Sequence, residues 1–247
     1  MSTGQVIHLE SVDSTNEYLK RQGALLPDGT VVVADHQTAG KGRLGRSWQD
    51  APGQSLLASW LLKSLQGDAL LLLPLAAGMA VLDALDSLGA QGAALKWPND
   101  IVCGGKKVCG MLLEMNADEQ SVHDVVAGIG INVHQTAFEG EIAKTASSLD
   151  LLTGRRICRA DVVRAFLEEY EAVDELARQD GEALMAVYRR HSATLGQRVQ
   201  VISATGSFTG TAKAVTDSGS LIVLDDDGRE REVLAADVSV RGLMGYA

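Results

Sequence analysis

Three cations and three glycines are interleaved within residues 40–46, the stretch GKGRLGR, of an otherwise acidic protein. The 247-residue chain carries 22 lysine and arginine residues against 32 aspartate and glutamate residues, a formal net charge of −10. Glycine lets a backbone approach a ligand closely, and the arginine fork matches phosphate and carboxylate oxygens. The spacing is not that of a P-loop, which ends in Gly-Lys-Ser/Thr. The stretch therefore predicts a mobile anion-binding loop, with a solvated flexible turn as the alternative.

The motif KWPND, residues 96–100, predicts polar groups on a tight turn. Pro98 fixes its own φ and biases the residue before it towards extended geometry. Asn99 and Asp100 are therefore expected between two strands, with their side chains presented at the turn. A turn without a ligand is the alternative.

Lys107 follows Asp100 across the pair Gly104-Gly105, which predicts a hairpin that returns the lysine towards the same place. Alternation along the second strand predicts that Lys106 faces solvent and that Lys107 faces inward, alongside Cys109. An inward lysine requires an anionic partner. A surface lysine on a turn is the alternative for Lys107.

The stretch AGIGINV, residues 127–133, places Gly128 and Gly130 inside an apolar strand. Glycine in a strand indicates close approach by a ligand or by another backbone. Asn132 ends this run as a polar group among apolar ones. A role at the end of the strand, without a ligand, explains Asn132 equally well.

The DSTN motif, residues 13–16, lies before a predicted helix that Gly23 can end. Ser14, Thr15 or Asn16 can accept hydrogen bonds from free N–H groups of the first helical turn, which is the usual role of such residues. Hydroxyls at a helix N-terminus can also bind a small polar ligand head.

Predicted strands and helices must position these motifs. Apolar and β-branched runs predict strands at residues 6–9, 31–35, 55–63, 101–103, 106–114 and 122–133. Helices are predicted after DSTN and at residues 74–88, 159–179 and 181–192, with Pro74 in the first turn of its helix. From about residue 194 onwards, short alternating strands predict a small SH3-like β-barrel, with a domain boundary near Leu195.

Composition narrows the class of protein. The N-terminus has no secretory signal, and the most apolar run, residues 69–82, is too short to span a membrane. Cys103, Cys109 and Cys158 form no C-x-x-C pair. A reducing cytoplasm is therefore expected, and neither a zinc site nor any other bound metal is predicted. The acidic balance disfavours nucleic acid as a partner.

The order of these motifs resembles that of the biotin–protein ligases. DSTN, QTAGKGRLGRSW, KWPND, Lys107, GMLLE and GIGINV follow one another as in that family, and the resemblance extends from about residue 6 to the end. It implies an α/β catalytic domain, a mixed sheet with packed helices over residues 1–194. A C-terminal SH3-like β-barrel over residues 195–247 would follow.

The resemblance also implies a two-step reaction. Biotin and ATP would give biotinyl-5′-AMP and pyrophosphate, with Mg²⁺ expected to accompany ATP. The adenylate would then acylate one lysine of the biotin carboxyl carrier domain of a carboxylase. Two preorganised cations can relieve the repulsion between a carboxylate and a triphosphate, and a closing loop can shelter the mixed anhydride from water.

Individual roles follow from the matching positions. The implied catalytic residues are Arg43, Lys107 and Asp100. The positions that match biotin-binding residues are Ser14, Thr15, Asn16, Gln37, Lys41, Gly42, Arg43, Lys107 and Gly110. The positions that match nucleotide-binding residues are Arg43, Arg46, Trp48, Asn99, Lys107 and Asn132.

The chain departs from the family pattern at Lys41, because the family loop commonly reads Gly-Arg-Gly-Arg. A role through the backbone amide would tolerate lysine. A guanidinium that forks a phosphate would not, because lysine lacks the planar fork. We expect the backbone role.

Two other functions compete with a biotin ligase. A lipoate or octanoate transferase shares the architecture, but the Gly-Lys-Gly-Arg loop disfavours it. A biotin-responsive repressor would carry a helix-turn-helix domain before the catalytic domain, and a first strand at residue 6 leaves no room for one. Operator binding is therefore expected to be absent. The resemblance also allows a homodimer.

Overall fold

A seven-stranded mixed β-sheet forms the centre of the protein. The computed structural model describes residues 4–63, 68–117, 122–235 and 238–242. The strands of this sheet are β1 (Val6–Leu9), β2 (Val31–Ala34), β3 (Ser55–Leu62), β4 (Ala93–Lys96), β5 (Asp100–Cys103), β6 (Lys106–Ala117) and β7 (Val122–Asn132). Their order is β1-β2-β3-β7-β6-β5-β4, with β1 and β2 parallel and the other neighbours antiparallel. The predicted mixed sheet is confirmed.

Helices cover both faces of this sheet. The α-helices of the described residues are α1 (Thr15–Gln22), α2 (Asp68–Ser87), α3 (Leu149–Thr153), α4 (Arg159–Gln179) and α5 (Gly181–Arg190). Helices α2 and α4 pack together in the main hydrophobic core, whereas α1 places Leu19 in a separate cluster with Leu61 and Val126. Among the described helices, none combines the length and the apolar character that crossing a membrane requires.

Strand β7 shows how the two faces of the sheet differ. Its core-forming residues, which pack with α2 and α4, are Val125, Ala127, Ile129 and Ile131. Gly128 and Gly130 alternate with them, as the period of two in a strand requires. We call the side of Gly128 and Gly130 the glycine face and the opposite side the core face.

Helix α2 begins earlier than predicted. It starts at Asp68, so Pro74 is its seventh residue and lies inside the helix, not in the first turn. Proline lacks an N–H, which leaves the carbonyl four residues earlier without its helical partner. Leu72 and Leu73 of the added turn are 4% and 2% exposed. Burying leucine side chains is worth about 1.5–3 kcal/mol each, which offsets the lost bond.

The C-terminal part consists of short strands, as predicted, but they form an antiparallel sheet and do not close into the barrel that an SH3-like fold implied. Its strands are β8 (Arg198–Ser203), β9 (Gly206–Val215), β10 (Leu221–Asp225), β11 (Glu230–Val233) and β12 (Val238–Gly242). They lie in the order β11-β10-β9-β8-β12. Within the described residues, the outer strands β11 and β12 have no mutual pairing that would close the sheet. Turns in this sheet carry Gly219 and Gly228, with φ of 85° and 78°.

The buried side chain of Trp97 joins the two sheets. It is 1% exposed, and its Nε1 donates to the carbonyl of Gly219 at 3.0 Å. Its backbone N–H donates to Oγ1 of Thr194 at 2.9 Å. The turn that carries KWPND is thereby fixed against the C-terminal sheet, and one hydrophobic cluster continues across the junction.

Candidate active site

A hollow of about 490 Å³, open to solvent, lies over the glycine face. Its walls are residues 40–46, which we call the basic loop, together with the start of α1 and strands β3, β6 and β7. The predicted site residues that line it are Ser14, Thr15, Asn16, Gln37, Lys41, Gly42, Arg43, Trp48, Asn99, Lys107 and Gly110. Asp100, Arg46 and Asn132 are not among the lining residues, and they contact neighbouring groups instead.

Three glycines make room for this hollow and for the side chains around it. A Cβ atom on Gly128 would lie 2.3 Å from Oδ1 of Asn16. On Gly130 it would lie 2.7 Å from the indole ring of Trp48, and on Gly110 it would lie 2.7 Å from Nζ of Lys107. Real Cβ atoms essentially never show contacts under 3.0 Å. The close approach predicted for Gly128 and Gly130 is therefore an approach by these side chains.

A hydrogen-bond network orients the polar groups beside α1. Oε1 of Gln37 accepts from the backbone N–H of Thr15 at 2.8 Å and from its hydroxyl at 3.0 Å. The amide orientation is thus fixed, and Nε2 of Gln37 has no partner among the described residues. Oγ of Ser59 lies 2.6 Å from both Oγ1 of Thr15 and Oδ1 of Asn16. This end of the hollow offers both donors and acceptors to a polar ligand.

The expected capping role of the DSTN residues is wrong. Ser14 is the N-cap residue of α1, but its side chain makes no capping hydrogen bond. Thr15 and Asn16 are 3% exposed and bond with Gln37 and Ser59 instead. The prediction that Gly23 ends the helix is confirmed, since α1 ends at Gln22 with Gly23 as its C-cap; Gly23 has a right-handed φ of −55° and begins a short 3-10 turn.

The basic loop contacts both α1 and the C-terminal sheet. Arg43 donates to Oδ1 of Asn99 at 3.1 Å, to the carbonyl of Val238 at 3.0 Å, and to the carbonyl of Ala235. Burial lowers the pKa of Arg43. Arg46 donates to Oγ of Ser239 at 3.2 Å. The contacts with the C-terminal sheet were not predicted, because nothing in the local sequence indicates which distant backbone carbonyls the loop meets.

Lys41 points away from the C-terminal sheet. Its Nζ lies 2.5 Å from Oε1 of Glu17 on α1. The backbone of the loop closes on itself, because Gly42 N–H donates to the carbonyl of Arg46 at 2.7 Å and Trp48 N–H donates to that of Gly40 at 2.9 Å. The side chain of Lys41 therefore has an acidic partner, while its neighbour Gly42 lines the hollow.

Lys107 forms an ion pair with Asp100, as an inward lysine requires. Its Nζ lies 2.6 Å from Oδ1 of Asp100 and 5.7 Å from the centroid of the Trp48 ring. The prediction that Lys107 lies alongside Cys109 is wrong. Cys109 is fully buried in the core, whereas Nζ of Lys107 lies over Gly110 on the glycine face.

An irregularity in β6 explains this error. The register shifts so that Ile101 faces Cys109 but Val102 faces Lys107, which adds one residue to β6. The backbone of Lys107 pairs elsewhere, because its N–H donates to the carbonyl of Thr145 at 2.7 Å. The bulge rotates Lys107 onto the glycine face, and strict alternation could not have indicated this.

Asn99 and Trp48 complete the side of the hollow near the hairpin. Nδ2 of Asn99 donates to the carbonyl of Met111 at 2.5 Å, which leaves its Oδ1 for Arg43. Nε1 of Trp48 is buried without a hydrogen-bond partner within the described residues. Nδ2 of Asn132 donates to the carbonyl of Ser147 at 3.0 Å, so Asn132 supports the neighbouring segment and is not among the residues that line the hollow.

Lys96 is a further buried cation that the sequence did not single out. It is 6% exposed, its Nζ lies 3.9 Å from Oδ2 of Asp100, and it reaches the carbonyl of Val240 at 3.4 Å. Burial lowers its pKa to about 8, and nearby Lys107 and Arg46 act in the same direction. Cations therefore outnumber acids in this region, which favours a ligand with several negative charges.

Comparison with known proteins gives the same assignment for both parts of the chain. Residues 8–132 match the family model described as the biotin/lipoate A/B protein ligase family, and residues 194–241 match the biotin protein ligase C-terminal domain. A biotin–[acetyl-CoA-carboxylase] ligase of Mycobacterium tuberculosis is 37% identical over 217 residues, covering 85% of this chain and 79% of that protein. The bifunctional ligase/repressor BirA of Bacillus spizizenii is 32% identical over 239 residues, covering 94% of this chain and 72% of that protein.

A solved structure agrees over nearly the whole chain. The biotin protein ligase of Aquifex aeolicus, in complex with biotin and ATP, superposes with a TM-score of 0.86 at 33% identity. The match covers 96% of this chain and 99% of that one. With its glycine-face hollow, its basic loop and its C-terminal sheet, this chain belongs to the biotin/lipoate A/B protein ligase family.

Proposed function

We propose that the chain activates biotin with ATP to biotinyl-5′-AMP and then transfers biotin to a lysine of the biotin carboxyl carrier domain of a carboxylase. The observation that carries this proposal is that Arg43 and Lys107 line one hollow together with the Gln37–Thr15 pair. Two cations and a mixed set of donors and acceptors fit a ligand with a polar neutral head and a carboxylate, next to a nucleotide.

The head of biotin would bind at the end of the hollow beside α1. A ureido ring has one carbonyl and two N–H groups, so it needs donors and acceptors in fixed places. The free Nε2 of Gln37 can donate to the ureido carbonyl, and the hydroxyls of Ser14 and Thr15 can accept from or donate to the ring. Gly42 and Gly110 would let the backbone approach the bicyclic ring and the valeryl chain.

The reacting groups would meet between Lys107 and Arg43. A carboxylate oxygen of biotin attacks the α-phosphorus of ATP, a new O–P bond forms, and pyrophosphate leaves with the bonding electron pair. Both reactants are anions, so fixed cations lower the barrier more than flexible ones could. Asp100 would hold the Lys107 ammonium in place, because the two are 2.6 Å apart. Mg²⁺ bound to ATP would neutralise charge on the departing pyrophosphate.

The nucleotide would occupy the side of the hollow bounded by Trp48 and Asn99. We assign Arg46 to the phosphate region through its position on the same loop, and Asn132 to support of the nucleotide site from behind. The contacts of Arg43 with Ala235 and Val238 support a role for residues 195–247 in holding the loop over the adenylate. We treat residues 1–194 as the catalytic domain.

In the second step the ε-amine of the carrier lysine attacks the acyl carbon of the adenylate and AMP leaves. No enzyme nucleophile is needed. The three cysteines are free, and two of them, Cys103 and Cys109, are buried. Burial raises the pKa of both thiols, which suits a structural role in a reducing cytoplasm.

Intact-mass spectrometry of a carrier domain tests this function. The carrier domain of a bacterial acetyl-CoA carboxylase is incubated with the protein, ATP, Mg²⁺ and biotin, and a parallel sample receives lipoate. We expect the mass to increase by one biotinyl group, in an ATP-dependent manner, and to remain unchanged with lipoate. Transfer of lipoate, or no transfer of either acid, would refute the proposal.

A further inference from the structure

Four side chains of alternating charge link the basic loop to the floor of the hollow. Nζ of Lys41 lies 2.5 Å from Oε1 of Glu17, and Nζ of Lys20 lies 2.7 Å from the same oxygen. Lys20 also lies 2.7 Å from Oε1 of Glu114 on β6. The other carboxylate oxygen of Glu114 accepts from Nδ2 of Asn16 at 2.8 Å. A continuous series of contacts therefore joins a loop residue to a buried amide of the site.

We propose that Glu114 and Glu17 are positioning residues: Glu114 fixes the amide of Asn16 as a hydrogen-bond acceptor for the ligand head, and Glu17 couples that amide to the loop through Lys41. This inference rests on the proposed function, because it concerns the recognition of biotin. Neither acid lines the hollow, so each would act only through its neighbours.

The amide of Asn16 has no donor left for a ligand. Its Nδ2 group donates to Oε2 of Glu114 and, at 3.2 Å, to the carbonyl of Leu112. Its Oδ1 lies 2.6 Å from the hydroxyl of Ser59, and a carbonyl oxygen has a second lone pair. Asn16 can therefore serve a ligand only as an acceptor. A ureido ring brings N–H groups to such an acceptor, whereas lipoate and octanoate have none.

Glu114 is the part of this arrangement that determines the orientation. An amide that could rotate by half a turn would exchange its oxygen for its NH₂ group, and Oδ1 would then meet the carbonyl of Leu112. A carboxylate accepts but cannot donate, so its contact with Nδ2 excludes the rotated form. Asn16 is 3% exposed and lies flat over Gly128, which leaves it little room for other rotamers.

Glu17 links the Asn16 amide to the basic loop, because it contacts Lys41 on the loop and Lys20, which in turn contacts Glu114. Hydrogen bonds from Lys20 and Lys41 lower the pKa of Glu17, so it stays ionised at neutral pH. With its ammonium on Glu17, the Lys41 side chain holds the loop against α1. This agrees with a backbone role for residues 41 and 42 towards the ligand, and it gives the lysine a task that arginine could also perform.

Substitutions at Glu114 test the first half of the proposal. Losing a charged acceptor should raise the biotin KM about tenfold in Glu114→Ala. Glu114→Gln keeps a similar shape and should show a smaller increase. The ATP KM and the unfolding midpoint should stay close to wild-type values. Glu168→Gln, which alters a 69% exposed glutamate, is the control and should change nothing.

The readouts separate positioning from general stability. Equal increases in the KM values for biotin and ATP, together with a lower unfolding midpoint, would mean that Glu114 merely supports the fold. An unchanged biotin KM in both variants would also overturn the proposal. Wild-type protein that makes no biotinyl-AMP under the same conditions would instead refute the proposed function itself.

Lys41 and Glu17 test the second half. Lys41→Met and Glu17→Gln should each raise the biotin KM about twofold to fourfold, as expected for a partly exposed ion pair. The double variant should be no worse than Glu17→Gln alone, because Glu17→Gln already removes the contact with Lys41. A raised ATP KM in Lys41→Met, with no effect of Glu17→Gln, would show that Lys41 binds phosphate and would contradict the proposal.

Discussion

The two faces of strand β7 differ in their side chains: one packs in the hydrophobic core and the other borders the hollow. On the core face, Ile129 and Ile131 are 5% and 0% exposed and pack in the main hydrophobic cluster. On the glycine face, Gly128 and Gly130 have no side chains, and the volume is filled by Asn16, by Trp48 and by the hollow. At residues 128–131 the core face therefore contributes to the main hydrophobic cluster, whereas the glycine face borders the hollow to which we assign ligand recognition.

This difference shows how a sheet can hold a site without losing its core. The strand pairing continues unbroken past the glycines, since Gly130 faces both Leu57 and Gly110 in register. Omitting Cβ atoms on one face opens a cavity while the hydrogen bonds of the ladder remain. Substitutions on the two faces should consequently affect different measurements.

The largest effect is expected for Lys107→Ala on the glycine face. Removing a cation that stabilises charge in the transition state should slow biotinyl-AMP formation about 100- to 1,000-fold. The ATP KM and the free energy of unfolding should change little, which single-turnover kinetics and urea titration can measure. Lys106→Ala, which alters the exposed neighbour, is the control. An ATP KM that rises as much as the rate falls would indicate simple binding.

Ile131→Ala should have the opposite profile on the core face. A cavity at a fully buried isoleucine should lower the free energy of unfolding by about 2–5 kcal/mol. The biotin KM of the folded fraction should equal that of the wild type. Ile142→Ala, at a 41% exposed position, should cost less than about 0.5 kcal/mol. A biotin KM that rises with the lost stability would show that the two faces are not separate.

Lys96→Met tests how a buried cation affects the free energy of unfolding. Burial lowers the pKa of Lys96 from 10.5 to about 8. The folded protein thus releases this proton near pH 8, whereas the unfolded chain keeps it until about pH 10.5. The free energy of unfolding of the wild type therefore increases with pH in that interval. Below pH 8 the variant should be more stable by up to about 3 kcal/mol. The difference should shrink towards pH 10.5 in urea titrations, and a difference independent of pH would contradict this explanation.

Gly128→Ala should give the smallest of these effects. Its new Cβ would lie 2.3 Å from Oδ1 of Asn16, so the hydrogen-bonded amide must move. We expect the biotin KM to rise about tenfold, with less than about 3 kcal/mol lost in unfolding free energy. Initial-rate kinetics at saturating ATP measure the first quantity. An unchanged biotin KM would mean that Asn16 has no part in recognition.

Much of the fold could be predicted from the sequence, because local patterns determined it. Alternating or apolar runs predicted six strands of the first sheet, and helical spacing predicted α4 and α5. The pair Gly104-Gly105 predicted a hairpin, and in the structure both glycines have the positive φ that such a turn requires, 57° and 73°. Strand β4 was missed, since only four residues form it and the last of them, Lys96, is also the first residue of the KWPND motif.

The remaining features depend on contacts between distant segments. Pro74 lies inside α2 because tertiary burial of the preceding turn compensates for the missing hydrogen bond. At the bulge that turns Lys107 onto the glycine face, the backbone N–H of Lys107 donates to the carbonyl of the distant Thr145. Ser59 appeared to be one more residue of an apolar strand, and its role in orienting Thr15 and Asn16 became evident only when β3 was placed beneath α1.

The central claim is that one hollow brings the biotin carboxylate and ATP together and protects the resulting mixed anhydride from water. A single-turnover experiment tests it most directly: excess protein is mixed with ATP, Mg²⁺ and labelled biotin in the absence of any carrier domain. We predict that the limiting biotin is converted completely to biotinyl-5′-AMP, which remains bound to the protein through rapid gel filtration. Absence of the adenylate, or equal formation of an adenylate from lipoate, would contradict the account.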